Sequence, residues 1–525
     1  MDYDLIIVGG GINGAALARL AAFNGLATAL FEAGDFGRGA STNTSKLLHG
    51  GLRYLETYDF GLVKDAVRER AALLGLAPHL VEARRFFFPS TRLGRHSRPI
   101  IKAGLALYDL LAAGRRLEAH RWVPPAELRR LEPAFLPGEA CGAYAYTDCV
   151  MDDARLVMEN LTDAASLGAR IRNYQAFQGA ELAGDGRMEV TVSDRLTGKE
   201  IVHRARRVAI VAGPWTDQVI ASAFPGNAPQ VRLSQGIHLI ADGLPSRSCF
   251  ILPVPGSKRY FFVVPWKGKH LIGTTETELE EIPAGPAVPR EAEIGELLRL
   301  ATTYFPEWKP DILCTITGIR PLARGGKGST VSLSREHEFH TLRDNVYSGV
   351  GGKYTTHRSF ADAFLRHILG KKALLKDIKS RPLPGAWKDT QERDAVRRGL
   401  MAYPFADEPV AAGWLRRYGK RALDLAEFVS GEAARRERLP GPYGLLKGEL
   451  AWAAEKEWAR TSEDFLRRRT DAYFTRGGGT ECLERVDAFF RTRTPGLAAL
   501  GVEADYPAFL RANRHIAAPA AGGGR

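Results

Sequence analysis

The 525-residue chain has only five cysteines and no Cys-x-x-Cys pair, the nearest two, Cys141 and Cys149, lying eight apart. This argues against a disulfide scaffold, a zinc ribbon or a thioredoxin-like redox motif, no metal site is read, and a reducing compartment fits. Long apolar runs are also missing. The richest, Leu105 to Leu111, is interrupted by Asp109 and falls far short of the roughly 20 residues that span a bilayer. The first apolar strand starts at Asp4, so no secretory signal is expected. There is no internal repeat, and low complexity is confined to Gly477-Gly-Gly479 and a tail, 517–525, expected to fray.

What remains is ordinary globular composition, 45% apolar and 25% charged, which excludes a largely disordered, collagen-like or coiled-coil chain. The length implies two or three domains. Net charge is +13, and the window Arg84–Arg130 holds ten Arg and one Lys against Asp109, Glu118 and Glu127. Nucleic acid, an anionic lipid surface and an anionic substrate each suit such a patch.

Residues 4–8 read as a buried strand, Gly9–Gly14 as a tight turn, Ala15–Asn24 as a helix with Gly25 beyond it, and Thr28–Phe31 as a second strand ending at Glu32. Strand, glycine turn and helix recur at Val208–Gly213 and at Asn345–Leu369. One nucleotide-binding domain assembled from separate segments is the expectation. Between Val231 and Leu333 apolar and polar residues alternate, which predicts an antiparallel sheet. Arg381-Pro-Leu-Pro-Gly385 reads as a linker, and 390–515 has helical spacing.

Gly9-x-Gly11-x-x-Gly14 directly follows a strand and opens a helix. The first glycine permits the turn, the second lets backbone approach a pyrophosphate, and the third lets helix pack on strand. The pyrophosphate then meets the free N–H groups of a helix N-terminus. Glu32, 18 residues past Gly14, suits both ribose hydroxyls and repels a 2′-phosphate. The fingerprint alone does not separate NAD from FAD. The hydroxyl cluster Ser41-Thr-Asn-Thr-Ser45-Lys46 reads as a polar lining for an extended cofactor.

Ser45-Lys-Leu-Leu-His-Gly-Gly-Leu-Arg-Tyr-Leu55 resembles the signature of FAD-dependent glycerol-3-phosphate dehydrogenases. Further matches follow in family order: Met151–Leu156, Ala212–Trp215, Ile272–Thr275, Gly318–Leu322, Gly351–Arg358, and, past the linker, Trp458–Thr461 and Asp464–Thr470. The resemblance spans nearly the whole chain. It implies an α/β (α+β overall) protein with a Rossmann-type FAD-binding domain from 1–75, 145–225 and 334–375, an antiparallel-sheet substrate (cap) domain from 76–144 and 226–333, and a helical domain at 385–516. It implies noncovalent FAD held by Gly9, Gly11, Asn13, Gly14, Glu32, Thr42, Ser45, Lys46, His49, Gly50, Gly213, Gly351 and Gly352.

The implied reaction oxidises sn-glycerol 3-phosphate to dihydroxyacetone phosphate, with electrons passed to membrane quinone. Such chemistry needs cations for a dianionic phosphate and a base beside the C2 hydroxyl. Arg53 and Lys353 suit the phosphate, with Tyr54 and Thr355 as hydroxyl donors. Arg320 suits the charge developing at C2. His238 is the base candidate by residue type, although Gln235 and Ile237 depart from the family's Lys-Gly-Ser-His form. The glycines before the 355–369 helix would aim its positive end at the flavin.

An oxidase using oxygen shares the fold, as does an amino-acid or hydroxy-acid oxidoreductase. A nucleic-acid partner is not expected, because the aromatics in 84–130 are not spaced as a stacking platform. A homodimer is a compatible assembly. A quinone acceptor places the protein at the cytoplasmic side of the cell membrane. Helix 99–111, with Ile100, Ile101, Leu105, Leu107, Tyr108 and Leu111 on one side, is the expected anchor, and Arg92, Arg95, Arg98, Lys102, Arg115 and Arg116 flank it.

Overall fold

The computed structural model describes residues 2–52, 59–91, 97–112, 114, 117–137, 141–325, 337–494 and 506–514. The sequence expectations for Arg53, Tyr54, Arg92, Arg95, Arg115, Arg116 and the tail 517–525 lie outside these residues.

Alternation along the first strand, Leu5–Val8, decides the first domain. Leu5 and Ile7 pack with the helices Ile12–Phe23, Asp153–Ser166 and His357–Leu369. Ile6 and Val8 pack the other way, against Val190 and Val192. A strand buried on both faces is continuously apolar, as a parallel sheet requires. The six-stranded sheet runs in the order His337–Arg343, Val346–Gly351, Val208–Ile210, Leu5–Val8, Thr28–Phe31, Arg170–Arg172. Only the edge strand His337–Arg343 is antiparallel to its neighbour. A four-stranded sheet, mainly Gln175–Leu182, Met188–Asp194 and Glu200–Ala205, covers the second face. The helix Ile12–Phe23 is apolar nearly all round because the sheet and two helices enclose it.

The third sheet is built mostly of antiparallel pairs between Val81 and Ala323, with Leu47–Leu48 at one edge. One of its pairs, Cys249–Pro253 with Val81–Pro89, is parallel. The expected domain boundary at 144/145 moves here. Strand Ala143–Met151 pairs with Val81–Pro89 along its whole length, so it belongs to this sheet and the cap runs to 151.

Past the linker, helices including Thr390–Met401, Glu408–Tyr418, Ala422–Ser430 and Lys447–Lys456 form a further unit. Asp389 and Asp407 cap the first two by accepting from the N–H groups of Glu392 and Val410. Trp414, Leu425 and Val429 share its core. The later part of this unit packs beneath the strand Asp311–Ala323, where Tyr473 donates to the Thr315 carbonyl at 2.6 Å.

The helix Arg98–Leu111 corrects the anchor reading. Ile101, Leu105 and Tyr108 face inward and are buried, and the Tyr108 hydroxyl donates to Asp148 at 3.0 Å. Most of its apolar side is therefore spent on the core. Ile100 and Leu110 are the large apolar residues it leaves exposed. No helix among the described residues is long and apolar enough to cross a membrane.

Candidate active site

The glycine turn is closed by contact rather than by chance. Gly9 has φ +115°, and a Cβ on it would lie 2.5 Å from the Val211 carbonyl oxygen. A Cβ on Gly14 would lie 1.9 Å from the Gly9 carbonyl oxygen. Both positions require glycine for close approach. A Cβ on Gly11 would meet only Ser41 Oγ, at 3.0 Å, so this helix end stays open. Ser41 Oγ accepts from the Ile12 N–H at 2.9 Å, and Asn13 sits half-buried in the first helical turn. The Glu32 carboxylate accepts from the Gly10 N–H at 2.7 Å and the Gly34 N–H at 2.8 Å. Burial raises its pKa, against the pull of these two bonds.

The segment 41–50 crosses from this turn to the third sheet. Thr42 donates to the Gly37 carbonyl. The Lys46 ammonium is buried and contacts both Asp153 oxygens, at 2.7 and 2.8 Å, and the Thr42 carbonyl at 2.8 Å. Its three donors are thereby used within the protein. The Lys46 side chain therefore fixes the loop, and its backbone is also tied down, the N–H donating to Thr44 Oγ1 at 2.9 Å and the carbonyl accepting from the Met151 N–H at 2.8 Å. Burial lowers its pKa, with Asp153 opposing.

Ser45 Oγ lies 2.8 Å from His238 Nε2. Further along, the His49 carbonyl accepts from Thr355 Oγ1 at 3.5 Å, and the Gly50 N–H donates to Asp148 at 3.2 Å. One short segment thus joins the strand bearing His238 to the turn bearing Lys353 and Thr355. Lys353 and Thr355 are both buried, just past Gly351 and Gly352. Gly213 opens the short turn Gly213–Trp215.

His238 and Arg320 stand on paired strands, and register explains their meeting. Ser234 pairs with Arg320, Gly236 with Gly318, and His238 with Ile316, all on one face. A Cβ on Gly236 would strike Arg320 Nη2 at 2.1 Å, and one on Gly318 would strike the Asn43 carbonyl at 2.6 Å. The glycine pair therefore clears a space for the guanidinium and for the crossing segment. Arg320 donates to Thr274 Oγ1 at 2.7 Å and to the Thr275 carbonyl at 3.2 Å. Burial first, then the charges of Arg320 and Lys46, hold the His238 imidazole well below its ordinary pKa, so it is neutral at pH 7.

Several supports carried no sequence signal. Glu293, buried at the start of the helix Glu291–Tyr304, accepts from Thr275, Thr277 and Gln235 at 2.8–3.0 Å, and Thr275 Oγ1 accepts from the Ile237 N–H. Asp148 accepts from Arg70 at 2.6 Å and from Tyr108, beneath Gly50. Thr274 and Thr275 had a trace in the sequence as part of a matched motif, and Gln235 and Tyr108 stand in segments read there for other reasons.

Residues 4–352 match the family model "FAD dependent oxidoreductase", and residues 378–494 match "C-terminal domain of alpha-glycerophosphate oxidase". The chain is 35% identical over 482 residues to a glycerol-3-phosphate dehydrogenase of Pseudomonas aeruginosa, covering 89% of this chain and 91% of that one. It is also 35% identical over 487 residues to a D-erythritol 1-phosphate dehydrogenase of Brucella abortus, covering 90% and 94%. A solved glycerol-3-phosphate dehydrogenase from Bacillus halodurans, complexed with FAD, has a similar fold, with TM-score 0.74, 23% identity and 96% of each chain covered.

Proposed function

From the premise that the chain belongs to the FAD-dependent oxidoreductases, and to their glycerol-3-phosphate dehydrogenase branch, we propose that it oxidises sn-glycerol 3-phosphate to dihydroxyacetone phosphate and delivers the electrons to a membrane quinone. The observation that carries this reading is the single sheet face that presents a neutral buried histidine, held by Ser45, and an arginine oriented by Thr274 and seated over Gly236.

The residues present fit FAD. The Gly9–Gly14 turn leaves a helix N-terminus open for the pyrophosphate, and Glu32, at the end of the second strand, keeps a lone pair on each oxygen for the adenosine ribose. Thr42, the backbone of Ser45, His49, Gly50, Gly213, Gly351 and Gly352 complete the cradle, on a loop that Lys46 fixes from within. When bound, FAD would supply the acceptor for the hydride leaving substrate C2.

The chain's own residues manage charge and protons. His238, whose ring is held by Ser45 Oγ at Nε2, takes the C2 hydroxyl proton. A pKa kept low by burial leaves it unprotonated and ready across neutral pH. Arg320, tied to Thr274 and the Thr275 carbonyl, presents a fixed positive charge where the C2 oxygen becomes anionic. Lys353 and Thr355 serve the phosphate.

A second reading has equal support from identity: a longer polyol phosphate, as in the Brucella relative's name. Reduction of a soluble dye with sn-glycerol 3-phosphate and with D-erythritol 1-phosphate in parallel decides between them, and oxygen uptake with and without quinone separates dehydrogenase from oxidase. Peripheral attachment at the cytoplasmic face rests on Ile100, Leu110 and Lys102, exposed on the outer side of one helix.

A further inference from the structure

A buried carboxylate needs a partner that leaves water with it, and Asp35 finds two in another domain. Asp35 lies three residues past Glu32 and is 1% exposed. Arg468 Nε is 2.5 Å from Oδ2, and Arg469 reaches both oxygens, at 2.9 and 2.7 Å. Burial would raise the Asp35 pKa, but Arg469 and Arg468 together hold it down at about 2. Asn173 also donates to Asp35, at 3.3 Å. Eight residues further on, Asn43 Oδ1 accepts from Arg467 at 2.8 Å.

These three consecutive arginines end one wide helical turn, Asp464–Arg469, of the C-terminal unit. Wide turns of this kind are frequent at functional sites. Between its two anchors the segment 35–43 meets the glycine turn twice: the Gly37 N–H donates to the Gly10 carbonyl at 3.0 Å, and Ser41 accepts from Ile12. Two residues past Asn43, Ser45 touches His238. The segment that lines the cofactor cradle and steadies the base is thus pinned at both ends from the helical domain.

We infer that Arg467, Arg468 and Arg469 are positioning residues through which the C-terminal domain sets how firmly FAD is retained. This rests on the FAD reading above. Docking of the domain has separate ties: Arg155 makes two bonds of 2.7 Å to Glu457, and Tyr174 donates to Asp464 at 3.0 Å. The Arg467–Asn43 bond can therefore be removed while the domain stays in place.

The test uses the full-length holoprotein. Arg467→Met should speed FAD dissociation, followed by flavin fluorescence, by about tenfold, the low end for loss of a charge-assisted hydrogen bond. Amide exchange over 38–45 should rise with it. Asn43→Ala should act likewise, and adding Arg467→Met to it should change the rate by less than about twofold, because the bond is already gone. If Arg467→Met does not fold, Arg467→Gln decides, because Asn43→Ala also removes the Nδ2 bonds to the Arg38 and Gly39 carbonyls. FAD loss unchanged in either variant, even with a lowered unfolding temperature, would overturn the inference and leave the arginines as domain glue. Wild-type protein that binds no FAD would instead sink the reading on which it rests.

Discussion

Replacing Gly14 with alanine adds one methyl group where there is no space for it. The new Cβ would sit 1.9 Å from the Gly9 carbonyl oxygen and 3.2 Å from a Val211 methyl. Reaching ordinary contact needs more than about 1 Å of movement between helix and turn, in a core packed too tightly to yield cheaply. Overpacking of this kind costs about 1–3 kcal/mol, set against a gain of about 0.5–1 kcal/mol from alanine inside a helix. The displacement falls on the turn itself, so FAD affinity should suffer more than folding does. Gly25→Ala is the control: its Cβ meets nothing within 4 Å, and φ of +82° makes it cost only backbone strain, away from the turn. FAD titration of the two purified variants should show Gly14→Ala weakened at least about tenfold and Gly25→Ala near wild type. Full FAD occupancy in Gly14→Ala at wild-type affinity would refute the steric argument.

His238→Asn should lower kcat with little change in KM, and because His238 titrates well below 6.5, wild-type kcat should lack the histidine-dependent fall near pH 6.5; a limb centred there and abolished by the variant would contradict the burial argument. Arg320→Ala should mainly lower turnover and Lys353→Ala mainly raise KM, each by roughly 10- to 150-fold, and steady-state kinetics giving the reverse would exchange the roles. Ile101→Asp should unfold the protein, whereas Ile100→Asp with Leu110→Asp should fold, keep dye-linked activity and release it from anionic vesicles, as co-sedimentation would record. His79 and His357 are fully buried, with pKa values lowered by burial to about 4 and about 3. The unfolded chain therefore binds protons first, and stability should fall as pH drops from 6.5 toward 4, by about 3 kcal/mol for His79. A urea midpoint that holds steady across that window would count against it.

Where local chemistry and spacing coincide, the residues announced the structure. The Gly9–Gly14 turn and the strand Thr28–Phe31 need only their neighbours, and they formed as read. His238 and Arg320 were each singled out, but their meeting depends on the register Ser234↔Arg320 between strands some 80 residues apart in sequence, which no local pattern encodes. Lys46 shows the same limit: a lysine in a polar loop looks free until Asp153, over a hundred residues away, arrives beside it. The helix Arg98–Leu111 misled for the opposite reason. An amphipathic face reads the same whether lipid or Phe86 and Tyr146 cover it. Asp35 was silent altogether, since its partners lie more than 430 positions away.

The measurement closest to the central claim is an anaerobic titration of the purified protein followed by its flavin absorbance. The account predicts yellow protein whose FAD bands bleach on adding sn-glycerol 3-phosphate, in proportion to the substrate added, while glycerol alone leaves them unchanged. Folded protein that takes up no FAD, or FAD that stays oxidised with this substrate and with the longer polyol phosphate, would contradict it.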